Sequence, residues 1–167
     1  MPLLRQLIDR MVARGGEPET RQAGAIPYTL VKGKVVFLII TSRSTGRWIF
    51  PKGDPIDGLQ PWEVAAQEAL EEAGVEGEVE KRPVGAYRTM KTLAFRRKRI
   101  EVEMYPLRVT RQLDEWVEKQ ARHRHWVILK DAKRLLSEPR LAEIAARLNR
   151  RVLAQPQPQP AMRAVNQ

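Results

Sequence analysis

The apolar positions along the chain fall into distinct patterns. Leu3, Leu4, Leu7, Ile8, Met11 and Val12 recur at helical spacing and predict an amphipathic helix over residues 1–18, closed by Gly15, Gly16 and Pro18. Residues 25–41 are apolar and β-rich, interrupted at Val31-Lys32-Gly33-Lys34, which predicts a hairpin with 35–40 as a buried strand. Residues 43–47 form a turn, 48–50 a short strand, and 51–60 a loop rich in Gly, Pro and Asp. A helix then opens at Pro61, a residue suited to a first turn, and stops before Gly74, placed for a left-handed cap. Residues 84–90 and 100–110 predict paired strands around a basic loop holding Arg96, Arg97, Lys98 and Arg99. A strand at 125–129 and helices at 131–136 and 139–153 complete the body. The Pro/Gln alternation from Gln155 marks 154–167 as a tail unable to pack. Hairpins outnumber strict β-α alternation, so the fold class is α/β with a mixed sheet between helices over residues 19–153.

Composition narrows the partners. At 167 residues and 43% hydrophobic, the chain can bury one real core. A formal charge of +10 points to an anionic partner: a phosphate ester, nucleic acid or an acidic membrane surface. The absence of cysteine excludes disulfides and thiolate metal sites and suits the cytoplasm. No apolar run is long enough to span a membrane, and Arg5 and Asp9 interrupt the segment where a signal peptide needs apolar residues. The N-terminal apolar stripe is open to a transit peptide or a surface-binding helix, and fits better a helix packed on the chain's own domain or on a second copy in a homodimer.

Charge on the 61–73 helix is placed against its own dipole. At about 100° per residue, with Glu68 at zero, Glu72 lies near 40° and Glu71 near −60°. Trp62, Ala66, Ala69, Leu70 and Ala73 occupy the opposite side, a small-residue face able to press on a sheet. Like charges at i,i+4 cost about 0.2–0.5 kcal/mol. Anions in the last turn oppose the macrodipole by about 0.3–1 kcal/mol each. No lysine or arginine lies within the helix. A solvated acidic face explains the pattern as well as a bound cation does, but a hard divalent cation held by carboxylate oxygens would give the cluster a purpose.

The run from Gly53 to Val75 resembles the Nudix box, G-x5-E-x7-R-E-U-x-E-E-x-G-U with U apolar. Gly53, Glu68, Ala69, Glu71, Glu72, Gly74 and Val75 match in register. The preceding Arg47-Trp48-Ile49-Phe50-Pro51-Lys52 is similar to the segment that leads into that box. Leu113-Asp114-Glu115-Trp116 and Arg124-His125-Trp126 are similar to the branch that cleaves diphosphoinositol polyphosphates and diadenosine polyphosphates. Two positions depart: Leu59 stands for the first box glutamate and Gln67 for the box arginine. In the family those two form a supporting charge pair, and losing both together leaves no orphaned charge.

The resemblance implies an α/β/α sandwich and a metal-dependent hydrolase that cleaves a diphosphate linkage in a polyphosphorylated small molecule. It implies Mg²⁺ or Mn²⁺ held by Glu68, Glu71, Glu72 and the Gly53 carbonyl. The base is a box glutamate or a later carboxylate such as Glu115 or Glu118. Arg21, Arg43, Lys52, Arg88 and Lys91 lie near the box in such a fold, and Arg97 and Arg99 lie in the basic run, so these are the candidate phosphate contacts. His123 and His125 read as surface histidines, and the four tryptophans as core or hinge residues. An RNA 5′-pyrophosphohydrolase would share the box and the charge, although no nucleic-acid recognition motif is present. A ligand sensor with a weakened box is the other alternative, on the strength of Leu59 and Gln67.

Overall fold

The structure, a computed structural model, describes Pro18 and residues 20–156. The expected N-terminal helix at 1–18, the dimer contact read from it, and the tail beyond 156 lie outside the described residues.

Strand β1, Thr20–Val31, is the spine of the sheet. It pairs in antiparallel fashion with β2, Lys34–Thr41, through a turn at Lys32 and Gly33, both with positive φ. Its other edge runs parallel to β7, Arg96–Gln112, from Thr20 opposite Ile100 to Tyr28 opposite Arg108. That parallel pairing makes the sheet mixed. Short strands β3, Trp48–Ile49, and β4, Lys52–Gly53, pair with β2 and β1. The sheet order is β3-β2-β1-β7-β5, where β5 is Val75–Val79. Strand β6, Gly85–Leu93, pairs with the first half of β7, and β8, Arg124–Ile128, pairs with β2.

The apolar run of β2 is continuous because both of its faces are covered. Phe37 and Ile39 point into a core shared with helices α2, Leu129–Leu135, and α3, Pro139–Ala154. Leu38 and Ile40 point to the opposite core, against α1, Pro61–Ala73. Alternation of period two thus feeds two cores from one strand. Fully burying each such side chain contributes roughly 1.5–3 kcal/mol. The pattern predicted a mixed sheet between helices and the resemblance implied an α/β/α sandwich, and the architecture agrees with both. Among the described residues no helix is long and apolar enough to cross a membrane.

Two expectations are corrected. The basic run is not a loop: Arg96 to Arg99 open β7, and the turn is only Ala94 and Phe95, with Leu93 opposite Arg96. Charged side chains do not end a strand whose backbone partners are still available and whose faces meet solvent. Strand β5 went unread because Val-Glu-Gly-Glu-Val carries little apolar signal. It is an edge strand with a register shift between Glu76 and Gly77, held by its backbone bonds to β7.

Candidate active site

The loop and helix that follow β4 build one wall of a cleft. Helix α1 starts at Gln60, whose backbone N–H donates to the Glu63 carboxylate at 2.8 Å, and ends at Gly74 in the left-handed conformation, φ 65°. Val64, Ala65, Ala69 and Ala73 are buried against Ala23, Ala25, Leu38, Ile40, Tyr105 and Leu107. The small residues bring the helix close to the sheet, and its carboxylates therefore come to lie beside β4. Glu68 lies directly against the backbone of Gly53, in the space a side chain at residue 53 would fill. Gly53→Ala should displace the flexible Glu68 carboxylate and leave the fold in place. The expected result is an unchanged melting temperature with cation affinity and turnover reduced at least tenfold, checked by thermal melts beside a Mn²⁺ titration.

Glu72 is the buried member of the cluster, at 8% exposure. Its Oε1 accepts from Nη2 of Arg122 at 2.8 Å, and the Lys52 N–H approaches Oε2 at 3.4 Å. Arg122, itself buried, also donates from Nε to Glu118 and from Nη1 to the Thr41 carbonyl at 3.0 Å. Glu118 in turn faces Arg43 at 3.3 Å. Burial lifts the Glu72 carboxyl to about 7; Arg122 opposes that rise, while Glu68 and Glu118 add to it. Glu68 is also raised, first by burial and then by Glu71, and is in hydrogen-bonding contact with Glu72. Glu71 accepts from the Gln67 side chain. The box arginine's position is therefore occupied by a neutral donor that still engages a box glutamate.

A polar chain forms the facing wall. Lys52 Nζ donates to Gln22 at 3.0 Å, Gln22 donates to Asp54 at 2.9 Å, and Lys91 Nζ lies 3.6 Å from Asp54. Burial lowers the Lys52 ammonium, and the Gln22 hydrogen bond lowers the Asp54 carboxyl. The cleft between the walls encloses about 730 Å³.

The structure brings Gly53, Glu68, Glu71, Glu72, Arg43, Lys52 and Lys91 to this cleft, together with Glu118. Arg21 and Arg88 lie elsewhere, both toward Glu101, at 4.0 and 3.0 Å. Arg97 and Arg99 stand opposite Thr92 and Met90 in the β6–β7 register, on the same face as Arg88. Glu115 is exposed and pairs with Lys119. His123 and His125 are exposed, and the His125 ring lies 6.0 Å from that of Trp48. Arg122 is the residue that sequence reasoning missed. The spacing Glu118-x3-Arg122 was the available signal, hidden beside the more conspicuous histidines.

Among the described residues no three acidic or histidine side chains converge as a finished metal site; Glu71 accepts from Gln67, and Arg122 pairs with Glu72. The donor chemistry nevertheless fits. Glu68 and Glu72 offer neighbouring carboxylate oxygens, both protonated more readily than an ordinary carboxyl because they are buried and crowded together. A hard cation would relieve that crowding.

The helix terminus also receives compensation. Arg124 Nη1 donates to the Ala73 carbonyl at 3.0 Å, and its guanidinium lies 3.9 Å above the Trp116 ring. Trp116 Nε1 donates to the Glu72 carbonyl at 3.2 Å. The Glu118 N–H donates to the Glu71 carbonyl at 3.0 Å. Residues 113–124 thus satisfy the orphaned carbonyls of α1 and answer its dipole.

Comparison with known proteins places this geometry. The model of the NUDIX domain matches residues 19–148. The chain is 32% identical over 136 residues to Nudix hydrolase 12, mitochondrial, of Arabidopsis thaliana, covering 68% of this chain and 64% of that relative's own length. It is 30% identical over 118 residues to human diphosphoinositol polyphosphate phosphohydrolase 3-beta, covering 70% of this chain and 68% of the other. The crystal structure of a Caenorhabditis elegans Ap4A hydrolase binary complex shares the fold, with a TM-score of 0.60, 20% identity, and coverage of 80% of this chain and 97% of that one. The chain belongs to the NUDIX domain family.

Proposed function

We propose that the protein hydrolyses a diphosphate linkage in a polyphosphorylated small molecule, of dinucleoside polyphosphate or diphosphoinositol polyphosphate type, with Mg²⁺ or Mn²⁺. One observation carries this reading: buried, crowded carboxylates and a row of cations face each other across a single cleft. Only a ligand that is itself negative and brings cations satisfies both walls. Nudix enzymes generally use divalent metal ions, and the human relative and the Caenorhabditis elegans structure named above are, by name, a diphosphoinositol polyphosphate phosphohydrolase and an Ap4A hydrolase.

Glu68 and Glu72 would hold the cation, with the Gly53 backbone beside them and Glu71 as the third carboxylate. When bound, it screens phosphate charge and lowers the pKa of a water. Lys52, Lys91 and Arg43 bind the phosphate oxygens and keep them in line, and they stabilise charge in the transition state. Glu118 is the better placed of the two later carboxylates to take the proton of the attacking water, since it lines the cleft. Phosphate draws Arg43 away from Glu118 and leaves that carboxylate held by Arg122 alone.

Release of phosphate or nucleotide is measured against diadenosine polyphosphates, a diphosphoinositol polyphosphate, ADP-ribose, nucleoside triphosphates and 5′-triphosphorylated RNA, with each metal. Turnover of the first or second class supports the proposal. Tight binding without turnover of any would make the protein a sensor and end it.

The pH dependence has a definite sign. With the folded carboxyl at about 7 against an ordinary 4.5, the folded state holds an extra proton at Glu72 across that window. Its contribution to stability is therefore full below the window and is lost as pH rises through it, so metal-free protein should melt lower at pH 8 than at pH 5.5. Below pH ~7 a cation must expel that proton, and its affinity should fall about tenfold per unit. Thermal melts and Mn²⁺ titrations at both pH values check this; an affinity indifferent to pH would contradict it.

A further inference from the structure

Gln22 stands on β1 opposite Val102 of β7 and is only 5% exposed. Glutamine is mostly a surface residue, so burial of this degree asks for fixed partners. The amide meets two at once. Its Oε1 accepts from Lys52 Nζ at 3.0 Å, and its Nε2 donates to Asp54 Oδ1 at 2.9 Å. An ammonium can only donate and a carboxylate can only accept, so the two neighbours permit one orientation of the amide.

Strand pairing brings the three residues together. Ala23 lies opposite Gly53 and Gly24 opposite Lys52, which carries Gln22 to the end of β4, beside Asp54. Asp54 also faces Lys91 at 3.6 Å, so its charge is shared at the rim of the cleft. Gln22 is thus the inner link between a cation and an anion that both line the cleft.

An amide suits this place better than any other side chain. Lys52 has three N–H groups, and Gln22 takes one, which leaves the others for a ligand. A carboxylate at residue 22 would hold the ammonium as firmly but cancel its charge, and an anionic ligand would have to compete with it. An apolar residue there would leave the ammonium to turn freely on its four-carbon stem. The amide fixes the direction of the charge without neutralising it.

We propose that Gln22 is a positioning residue: it aims Lys52 at a phosphate of the ligand, with Asp54 as the anchor that holds the amide in its working orientation. The inference rests on the reading of the cleft as the polyphosphate site of a hydrolase and deepens it.

The test is a double-mutant cycle in the full chain. It uses Gln22→Met, which keeps the unbranched shape and removes both hydrogen bonds, Lys52→Met, and the two together. Affinity for inorganic tripolyphosphate is measured by calorimetry with a chelator present, so that neither divalent metal nor turnover enters. In parallel, kcat and KM are measured with Mg²⁺ on whichever compound of the panel turns over. Gln22→Met should weaken tripolyphosphate binding about tenfold, the scale of one misplaced charge-assisted contact, and Lys52→Met by at least as much. In the Lys52→Met background the effect of Gln22→Met should fall to within twofold, because the group it aims is gone. The ratio kcat/KM should repeat the pattern. Gln22→Asn, one methylene too short to reach both partners, should behave like Gln22→Met and takes its place in the cycle if Gln22→Met does not fold.

If no compound turns over but the binding cycle shows this coupling, the role of Gln22 stands and the hydrolase reading alone fails. If turnover proceeds and Gln22→Met weakens binding equally with and without the Lys52 ammonium, the residue acts by packing or by direct contact, and the positioning role alone fails. Tripolyphosphate affinity within twofold of the parent in Gln22→Met would overturn it as well.

Discussion

Glu72→Gln should abolish turnover, by about 10³-fold in kcat, the scale of losing a charge-bearing group at a phosphoryl-transfer site. The replacement keeps the volume and one oxygen, so Arg122 retains an acceptor. It removes the charge that a cation would require at the innermost position of the cluster. The same substitution should leave the fold intact. Glu72 is buried, with a carboxyl raised to about 7, so its ionised form is under strain at neutral pH. A neutral amide relieves that strain while weakening one bond to Arg122. The net change in melting temperature should be about 3 °C or less. Steady-state kinetics beside calorimetric melts separate the two effects. A variant retaining activity within fivefold would remove Glu72 from the reaction and with it the proposed cation site.

Arg122→Ala should be the most destabilising single change in the cleft. It leaves Glu72 buried without its partner, strips Glu118 of one guanidinium and leaves the Thr41 carbonyl without its donor. Breaking a buried pair from one side costs about 3–5 kcal/mol. For a domain of this size that lowers the melting temperature by about 10–15 °C. The loss should be larger at pH 8 than at pH 5.5, because at the lower pH the stranded carboxyl takes up a proton. Adding Glu72→Gln to Arg122→Ala should recover part of the loss at pH 8, since no buried anion remains. A loss below 2 °C, or one independent of pH, would show that Arg122 is peripheral.

The two predictions turn on residues of unequal visibility in the sequence. Glu72 could be found by spacing alone: 3.6 residues per turn put it on one face with Glu68, and the fixed interval to Gly53 and Gly74 made the pattern specific. Arg122 lies 50 positions along the chain from Glu72, and no local period links the two. The cationic candidates divide in the same way. Lys52 adjoins Gly53 in β4, so its place beside the cleft followed from the loop. Whether a basic residue of the β6–β7 hairpin meets the cleft depends on which face of the pleat it occupies. Lys91 falls on one side, Arg88, Arg97 and Arg99 on the other. A one-residue change of register would exchange them.

Departures from the family pattern also acquire a physical account. Leu59 and Gln67 remove a local charge pair, and the structure supplies a distant guanidinium, that of Arg122, to the same carboxylate cluster. The acidic end of α1, which has no basic residue of its own, is answered by Arg122 and by Arg124 stacked on Trp116.

The sequence by itself determined what repeats locally. Alternation in the strands and the small-residue face of α1 established the layered α/β class. Helix start and stop residues set the limits of α1, and the spacing of glycine and glutamates located the carboxylate wall. These features depend on backbone geometry within a few residues, and that geometry is legible without neighbours. Tertiary structure alone decided the partners. It set the parallel pairing of β1 with β7, the edge strand β5, the side of the hairpin that meets the cleft, and the charges that balance Glu72 and the end of α1. Each of these pairs residues tens of positions apart, and only the folded chain makes them neighbours.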